Sequence, residues 1–318
     1  MAPRLLYTHT IMDQQTTIRK PVSIEGIGLH SGEIIRLTLS PASSDTGILL
    51  RAPDGTLIPA NAEHVVDGHF ATTVGSFGVR VRTIEHLMAA AAGLGIDNLL
   101  VDVSGDELPG LDGSSREFVE LLERAGRVVL PARRAPIRIE APIRVEDGSR
   151  WLQVLPSDTL RISYTLDNDH PAIGLQALSL EITESTFVDE LAPARTYGFL
   201  KDVGAMRQRG LARGGSLDNT IVVGKRAVLN DHLRFPDEFV RHKILDLVGD
   251  LFLLGRPLVG HVIARNGGHA LNHRLVAAIR EAAVPDRRRA RGRMAAPERS
   301  MAPVLRAAYP PVPGVAAV

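Results

Sequence analysis

The chain has 318 residues, of which 44% are hydrophobic and 23% charged, which is enough for two ordinary domains with apolar cores. It contains no cysteine, which excludes disulfides and thiolate metal sites, so any zinc must be bound by histidine and carboxylate, as in catalytic sites. The formal net charge of +1 divides into +5 for residues 285–318 and −4 for the rest, and an acidic body argues against nucleic-acid binding.

Neither end of the chain shows the hydrophobic periodicity of a helix or a strand. Residues 1–16 are polar and are expected to be flexible, and they lack the continuous apolar core of a signal peptide. Residues 285–318 are rich in proline, alanine and arginine, so we predict disorder, with a peripheral contact to an anionic membrane surface as the alternative. No apolar run reaches bilayer length, which predicts a cytoplasmic protein without stable membrane insertion.

A first domain is predicted over residues 17–130. Alternating apolar residues predict short strands, which lie at 22–25, 34–39, 47–52, 72–81 and 97–103. Thr83 is the expected N-cap of a helix that ends near the next glycine pair. A second helix, Phe118–Ala125, follows an expected capping box of Ser114 and Glu117.

A second domain is predicted over residues 131–284, after a linker-like stretch at 129–136 that contains two prolines. A glycine-containing insert is expected near 197–215. Strands are predicted at 137–140, 143–146, 151–155, 160–166, 221–223 and 258–264. Helices are predicted at 185–191, 238–255 and 270–282. Because the order of elements agrees in outline between the halves, we predict an α+β protein of two similar halves that face each other.

The longest predicted helix, 238–255, carries a row of polar residues along an otherwise apolar surface. His242, Asp246 and Asp250 follow at intervals of four, so they lie above one another on one face. Nearly all of the remaining helix surface is apolar, which places this polar stripe inside the protein. Taken alone, the stripe fits a satisfied internal hydrogen-bond network as well as it fits a metal site.

The first predicted helix favours the metal site, because it opens with Glu85 and His86. If His86 binds one zinc ion together with His242 and Asp246, three protein ligands leave the fourth position for water, whose pKa zinc lowers. Glu85, next to a ligand, is then the candidate general base for the attack of this water on a carbonyl carbon.

His269, the spare imidazole beside the ligand set, is the best candidate for the general acid, and its position after two glycines suits a residue that projects from a strand-to-helix turn. It would protonate the leaving group, with Asp250 orienting or charging it. Protonated His269 and the Thr196 hydroxyl would also stabilise the developing oxyanion. His269 and His273 have the i, i+4 spacing of a metal-binding pair, which we discount because no Glu follows His269. Lys243 would contact a polar or anionic part of the substrate or, alternatively, extend to solvent.

These segments together resemble the bacterial UDP-3-O-acyl-N-acetylglucosamine deacetylases of lipid A synthesis. The resemblance covers about 17–283 in the family's order, with TIEHL at 83–87, LDGS at 111–114, RT at 195–196, FVRHKILD at 239–246, GDL at 249–251 and GHALN at 268–272. It implies zinc-dependent hydrolysis of the acetamide of UDP-3-O-(3-hydroxyacyl)-N-acetylglucosamine, releasing acetate in the committed step of lipid A biosynthesis. It implies that His86, His242 and Asp246 bind the zinc ion. Glu85 would be the base and His269 the acid, with Asp250 behind His269 and Thr196 near the oxyanion.

The resemblance also implies an architecture and a mode of substrate binding. We expect two β-α-α-β domains, each a small sheet with two helices, packed face to face with the active site at their interface. The insert near 197–215 would shape a hydrophobic passage for the fatty acyl chain. The expected contacts of the UDP-linked acylated glucosamine are Lys243, Tyr197 and Phe199, and a monomer is expected.

The sequence departs from the family's pattern in three places. Tyr197 stands where the family commonly has phenylalanine, which retains ring packing but alters contacts with the acyl chain or the sugar. Ala71 stands near a position where many relatives carry a cysteine able to bind an extra metal, so weaker inhibition by excess zinc is expected. The tail after Val284 has no counterpart that can be placed.

Two other functions remain open at this point. One is a non-catalytic protein that holds a nucleotide sugar or an acyl group in the same pocket. A full set of metal ligands, base and acid argues against it, because a binding protein does not need a buried row of charged residues along one face of a helix. The other is a zinc hydrolase of the same fold that acts on a different amide.

Overall fold

The computed structural model describes residues 13–283; residues 1–12 and 284–318, with the predicted disordered tail and most of the predicted flexible N-terminus, lie outside the described residues. The described chain is a mixed α+β structure, as predicted. Its strands are β1 (Gln14–Ile18), β2 (Val22–Ile27), β3 (Ile34–Pro41), β4 (Ile48–Arg51), β5 (Leu57–Pro59), β6 (Val65–Asp67), β7 (Thr73–Ser76), β8 (Val79–Val81), β9 (Leu99–Val103), β10 (Arg127–Arg133), β11 (Ile137–Arg138), β12 (Ile143–Asp147), β13 (Arg150–Leu155), β14 (Leu160–Asn168), β15 (Gly174–Glu181), β16 (Tyr197–Phe199), β17 (Ile221–Val223) and β18 (Leu258–Arg265). Its α-helices are α1 (Glu85–Gly93), α2 (Arg116–Ala125), α3 (Glu184–Thr186, continued by a π-helical turn at Phe187–Leu191), α4 (Leu200–Gln208), α5 (Glu238–Phe252) and α6 (His269–Ala283).

The two largest sheets share one pattern of strand pairing. The first has the order β2-β3-β9-β4-β5, and the second has β12-β13-β18-β14-β15, with β11 paired to the start of β18. In each sheet the third and fourth strands in this order are parallel, and the other neighbours are antiparallel. The pairing therefore repeats between the halves of the chain although their sequences show no close repeat.

Buried and more exposed side chains alternate along these strands, as the alternation of residue types in the sequence predicts. In β14, Ile162, Tyr164 and Leu166 are buried, whereas the residues between them are more exposed. In β18 the alternation continues through all eight residues. Because side chains in a strand point to opposite faces in turn, one face of this sheet packs into the core beneath the helices.

Helices α1 and α5 occupy equivalent places in the two halves, since each precedes the central strand of its own sheet. Twelve of the fifteen residues of α5 are buried, as its apolar circumference predicts. The two helices touch at Gly249, where a Cβ atom would lie only 2.2 Å from the Glu85 carbonyl oxygen. The absence of a side chain therefore lets the two backbones approach closely. None of the helices described within residues 13–283 is long and apolar enough to span a bilayer.

The structure corrects two expectations about chain segments. β1 includes residues 14–16, which were expected to be flexible, and β10 includes most of the expected linker at 129–136. These two strands pair with each other, and Thr17 anchors the first by donating its hydroxyl proton to the Asn98 carbonyl oxygen at 2.7 Å. Local sequence patterns miss such a pairing because the partners lie far apart in the chain. β15 was also not predicted.

Both expected helix caps are wrong. Helix α1 begins at Glu85 without a side-chain cap, and Thr83 instead has φ of 58° and donates its hydroxyl proton to Glu107 at 3.0 Å. Helix α2 begins without the expected capping box. The Ser114 hydroxyl donates to Asp112 at 2.7 Å, and the neighbouring Ser115 hydroxyl donates to a carbonyl of α1. Tertiary partners therefore replace the local caps.

Candidate active site

Helices α1 and α5 bring together three side chains that were predicted as metal ligands. His86 is the second residue of α1, and His242 and Asp246 lie one turn apart on α5. One ligand atom from each residue lies within 4.8 Å of the other two. Asp246 Oδ1 is 3.2 Å from His242 Nε2 and 3.7 Å from His86 Nε2. All three residues are buried, so this is a cluster of potential ligands inside the protein.

The hydrogen bonds around this triad fit a bound cation. Asp246 Oδ1 is buried and has no hydrogen-bond partner among the described residues. His242 Nδ1 lies 3.1 Å from the Ala194 carbonyl oxygen, so Nδ1 donates its proton there and the Nε2 lone pair remains free. A buried carboxylate oxygen without a donor is costly unless a cation compensates it. Two imidazoles and a carboxylate are a donor set typical of catalytic zinc.

The charges of the ligands suit this role. Burial lowers the pKa of His242 to about 4, although the Asp246 carboxylate opposes the shift, so the imidazole is neutral and able to bind a metal. Burial acts to raise the pKa of the Asp246 carboxyl, but His242 and the Lys243 ammonium hold it well below its usual range. Burial acts to lower the pKa of His86, but the carboxylates of Asp246 and Glu85 raise it. Within the triad it is therefore His242 that presents a neutral nitrogen beside the ionised Asp246 carboxylate.

Glu85 lies beside the triad at the first residue of α1 and is only 3% exposed. Burial raises the pKa of its carboxyl, which makes the carboxylate a better proton acceptor than an exposed one. Glu85 Oε2 accepts a hydrogen bond from the Thr72 backbone N–H at 2.9 Å. Glu85 Oε1 faces His269 Nε2 at 4.0 Å.

His269, the first residue of α6, is held as a cation. Its Nδ1 lies 2.8 Å from Asp250 Oδ2, and Asp250 has no exposed surface. Burial acts to lower the pKa of His269, but the Asp250 carboxylate outweighs it and raises this pKa to about 10. At neutral pH the ring therefore carries a proton on Nε2, which lies 3.9 Å from Asp246 Oδ2.

Thr196 is placed by contacts from both halves of the chain. Its backbone N–H donates to the Gly113 carbonyl oxygen at 2.7 Å. Gly113 has φ of 81°, and a Cβ atom there would lie 1.8 Å from the Asn219 carbonyl oxygen, so only glycine fits. The preceding Arg195 forms a buried ion pair with Glu238, the first residue of α5, at 2.9 Å. The LDGS and RT motifs therefore hold Thr196 at the cleft.

The three expected substrate contacts differ in position. The Lys243 side chain is only 11% exposed, with Nζ 3.4 Å from Asp246 Oδ2 and 5.3 Å from the centre of the Tyr197 ring, so it does not extend into solvent as the alternative expected. The buried Tyr197 hydroxyl has no hydrogen-bond partner among the described residues. Phe199 packs against the His170 ring at 5.7 Å and is not among the residues that line the cleft. The expectation for Phe199 is therefore not supported by its position.

The triad, base, acid and Thr196 line one cleft of about 1100 Å³, including its open mouth. The model of the family described as UDP-3-O-acyl N-acetylglycosamine deacetylase matches residues 15–281. The chain belongs to this deacetylase family.

Individual relatives of the deacetylase family match over most of their length. The chain is 48% identical to the UDP-3-O-acyl-N-acetylglucosamine deacetylase of Syntrophotalea carbinolica over 272 residues, which cover 84% of this chain and 88% of the relative. It is 50% identical to the protein of the same name from Myxococcus xanthus over 266 residues, which cover 82% of this chain and 85% of the relative. The family assignment therefore makes the chain a hydrolase.

Sequence reasoning missed several residues that line the deacetylase cleft. Leu29 and Phe70 come from loops of the first half, and Asp147 and Arg150 come from the β12–β13 hairpin. Asp147 and Arg150 form an ion pair between the ends of the two strands that the sequence predicts at 143–146 and 151–155. The sequence predicts these strands, but their position over the cleft depends on how the sheet is oriented. Phe70 has φ of 64°, a conformation rare outside glycine that local sequence does not predict.

Proposed function

We propose that this protein removes the acetyl group from UDP-3-O-acyl-N-acetylglucosamine by zinc-dependent hydrolysis, in the biosynthesis of lipid A. The observation that carries this proposal is the buried triad, in which Asp246 Oδ1 has no hydrogen-bond partner among the described residues, next to a buried base and a buried acid. The names of the relatives supply the substrate.

The ligands and the base would act on the water that attacks the amide. His86, His242 and Asp246 would hold the zinc ion, which when bound activates water and polarises the acetamide carbonyl. Glu85 would accept a proton from the attacking water as the new C–O bond forms. The accepting atom is Oε1, because Oε2 already accepts the Thr72 N–H.

The acid would complete the reaction as the C–N bond breaks. His269 would donate its Nε2 proton to the departing sugar nitrogen, so the products are acetate and a free amine. Asp250 maintains the charge and orientation of His269 through the 2.8 Å contact. The Thr196 hydroxyl would donate a hydrogen bond to the developing oxyanion. Lys243, which lines the cleft, would bind a polar or anionic part of the substrate.

The proposed architecture consists of two domains, 17–130 and 131–284, packed face to face with the site at their interface. The repeated strand pairing and the close contact of α1 with α5 support this division. Residues 197–215 would border a passage for the acyl chain, which agrees with the half-exposed apolar side chain of Leu200 in this segment. The cytoplasmic location and the monomeric state stay predictions.

The test is an assay of acetate release from UDP-3-O-acyl-N-acetylglucosamine across a short series of acyl lengths. We expect equal amounts of acetate and free amine, and a loss of about 100-fold or more for Glu85→Ala with zinc retained. A binding protein would bind the nucleotide sugar without releasing acetate. A hydrolase for another amide would act as fast on N-acetyl sugars that lack the acyl chain. Near-normal turnover of Glu85→Ala at saturating zinc would contradict the assignment of the base.

A further inference from the structure

The Thr72 hydroxyl has no role in the mechanism above, yet Thr72 lies between the acid and the base. It directly precedes β7 and is 1% exposed. Its backbone N–H donates to Glu85 Oε2 at 2.9 Å, and its hydroxyl contacts Asp250 Oδ1. One residue therefore touches the base and, 178 positions away in sequence, the carboxylate that holds the acid.

The direction of the Thr72 hydroxyl follows from its neighbours. An ionised carboxylate can only accept hydrogen bonds, so the single hydroxyl proton of Thr72 is donated to Asp250 Oδ1. The hydroxyl oxygen is then an acceptor for His273 Nε2, which lies at 3.0 Å. Rotation of the Thr72 side chain about its Cα–Cβ bond would break both of these hydrogen bonds.

The Thr72 hydroxyl completes the set of donors around Asp250. Asp250 Oδ2 accepts from His269 Nδ1 and from Asn272 Nδ2, each at 2.8 Å. Without Thr72, Oδ1 would keep, within residues 13–283, only a longer contact to His273 Nε2 at 3.4 Å. A buried carboxylate with donors on both oxygens has a fixed plane, and this plane sets the orientation of the His269 ring.

The backbone of Thr72 acts in the same way on the base. Because its N–H occupies Glu85 Oε2, the other oxygen, Oε1, is turned toward His269 Nε2 at 4.0 Å. The proton-accepting atom and the proton-donating atom are thus both oriented through Thr72.

We propose that Thr72 is a positioning residue, which fixes the general acid relative to the general base by binding Asp250 and Glu85 at once. This inference rests on the proposed function, since it concerns the two proton transfers of that reaction. The hydroxyl is the part that a substitution can remove, because any residue other than proline retains the backbone N–H.

The test compares three variants of the full chain in the acetate-release assay. Thr72→Val has nearly the same shape and lacks the hydroxyl, whereas Thr72→Ser retains it. Thr73→Val is the matched control, because Thr73 is also buried and its side chain makes no hydrogen bond within residues 13–283. We expect Thr72→Val to lower kcat by about 10- to 100-fold with KM and bound zinc unchanged. We expect Thr72→Ser to recover most of this loss and Thr73→Val to match the wild type.

Three results would overturn the inference. Wild-type kcat in Thr72→Val would mean that the hydroxyl does not orient the acid. Equal losses in Thr72→Ser and Thr72→Val would assign the effect to packing, and loss of zinc would assign it to the metal site. Thr72→Ala repeats the comparison if the valine variant does not fold. A wild-type protein that releases no acetate would instead refute the proposed function, so the two failures are distinguishable.

Discussion

Asp246 and Asp250 lie one turn apart on the same face of α5 and are both buried, but their surroundings differ. Asp250 receives hydrogen bonds on both oxygens, from Thr72, His269 and Asn272. Asp246 leaves Oδ1 without a hydrogen-bond partner among the described residues. One carboxylate belongs to a network that is complete in itself, and the other needs a cation. Asp246 and Asp250 share residue type, helix face and burial. Their hydrogen-bond partners alone therefore distinguish the metal ligand from the residue that orients the acid.

Removing the metal should have the largest effect, because it acts on Asp246, whose buried Oδ1 has no hydrogen-bond partner within residues 13–283. We expect a chelator to abolish acetate release and one equivalent of zinc per triad to restore it. Circular dichroism of the chelated sample provides the control for folding. Activity that persists in metal-free protein would contradict the claim that Asp246 binds a catalytic metal whereas Asp250 orients the acid.

Substitution of the general acid should reduce activity less than removal of the metal does. We expect His269→Ala to lower kcat by about 10²- to 10⁴-fold while zinc content stays unchanged. His273→Ala is the matched control, because His273 contacts Asp250 at 3.4 Å but is not among the residues that line the cleft. The decrease in kcat should be smaller in His273→Ala than in His269→Ala. Loss of zinc in His269→Ala would make His269 a ligand and contradict its assignment to the Asp250 network.

Substitution of Asp250 should change the pH dependence of the rate. His269 must be protonated to act as an acid, and its pKa is raised to about 10 mainly by the Asp250 charge, against the effect of burial. Activity should therefore fall as pH rises through this pKa. Asp250→Asn removes the charge, lowers the pKa of His269 and should move the alkaline limb of the kcat/KM profile to lower pH. We also expect a loss of about 10- to 100-fold at the optimum. An unmoved limb would mean that His269 is not the titrating acid.

The smallest effect concerns the helix contact that brings the triad together. Gly249→Ala places a Cβ atom 2.2 Å from the Glu85 carbonyl oxygen, so α1 and α5 must separate. We expect the free energy of unfolding to fall by about 1–3 kcal/mol, measured by denaturant titration. Gly204→Ala in α4 is the matched control, because its Cβ would meet nothing within 4 Å. That variant should be neutral or slightly more stable, and equal effects of both would exclude a specific role for the contact.

The sequence predicted α5 and its polar stripe well because both depend on local spacing. His242, Asp246 and Asp250 repeat at helical intervals within an apolar surface, and the structure shows that helix. The approach of His86 to this stripe could not be calculated from spacing, since it depends on the packing of α1 against α5. The resemblance to a known family indicated that approach, and the structure gives its distances.

Other features could not be predicted, because their partners are remote in sequence. β1 and β10 pair across more than a hundred residues, so each looked irregular by itself. Thr72 is an ordinary threonine in the sequence, and its importance becomes apparent only when Glu85 and Asp250 lie on either side of it. Thr83 looked like a helix cap, but Glu107 holds it in a left-handed conformation instead.

The most direct test is the zinc content of Asp246→Asn and Asp250→Asn, measured by elemental analysis of purified protein beside the wild type. The two substitutions remove the same charge from neighbouring turns of one helix. We expect one zinc per chain in the wild type and in Asp250→Asn, and almost none in Asp246→Asn. Equal zinc content in the two variants, whether retained or lost, would contradict the distinction between a carboxylate that binds the metal and one that orients the acid.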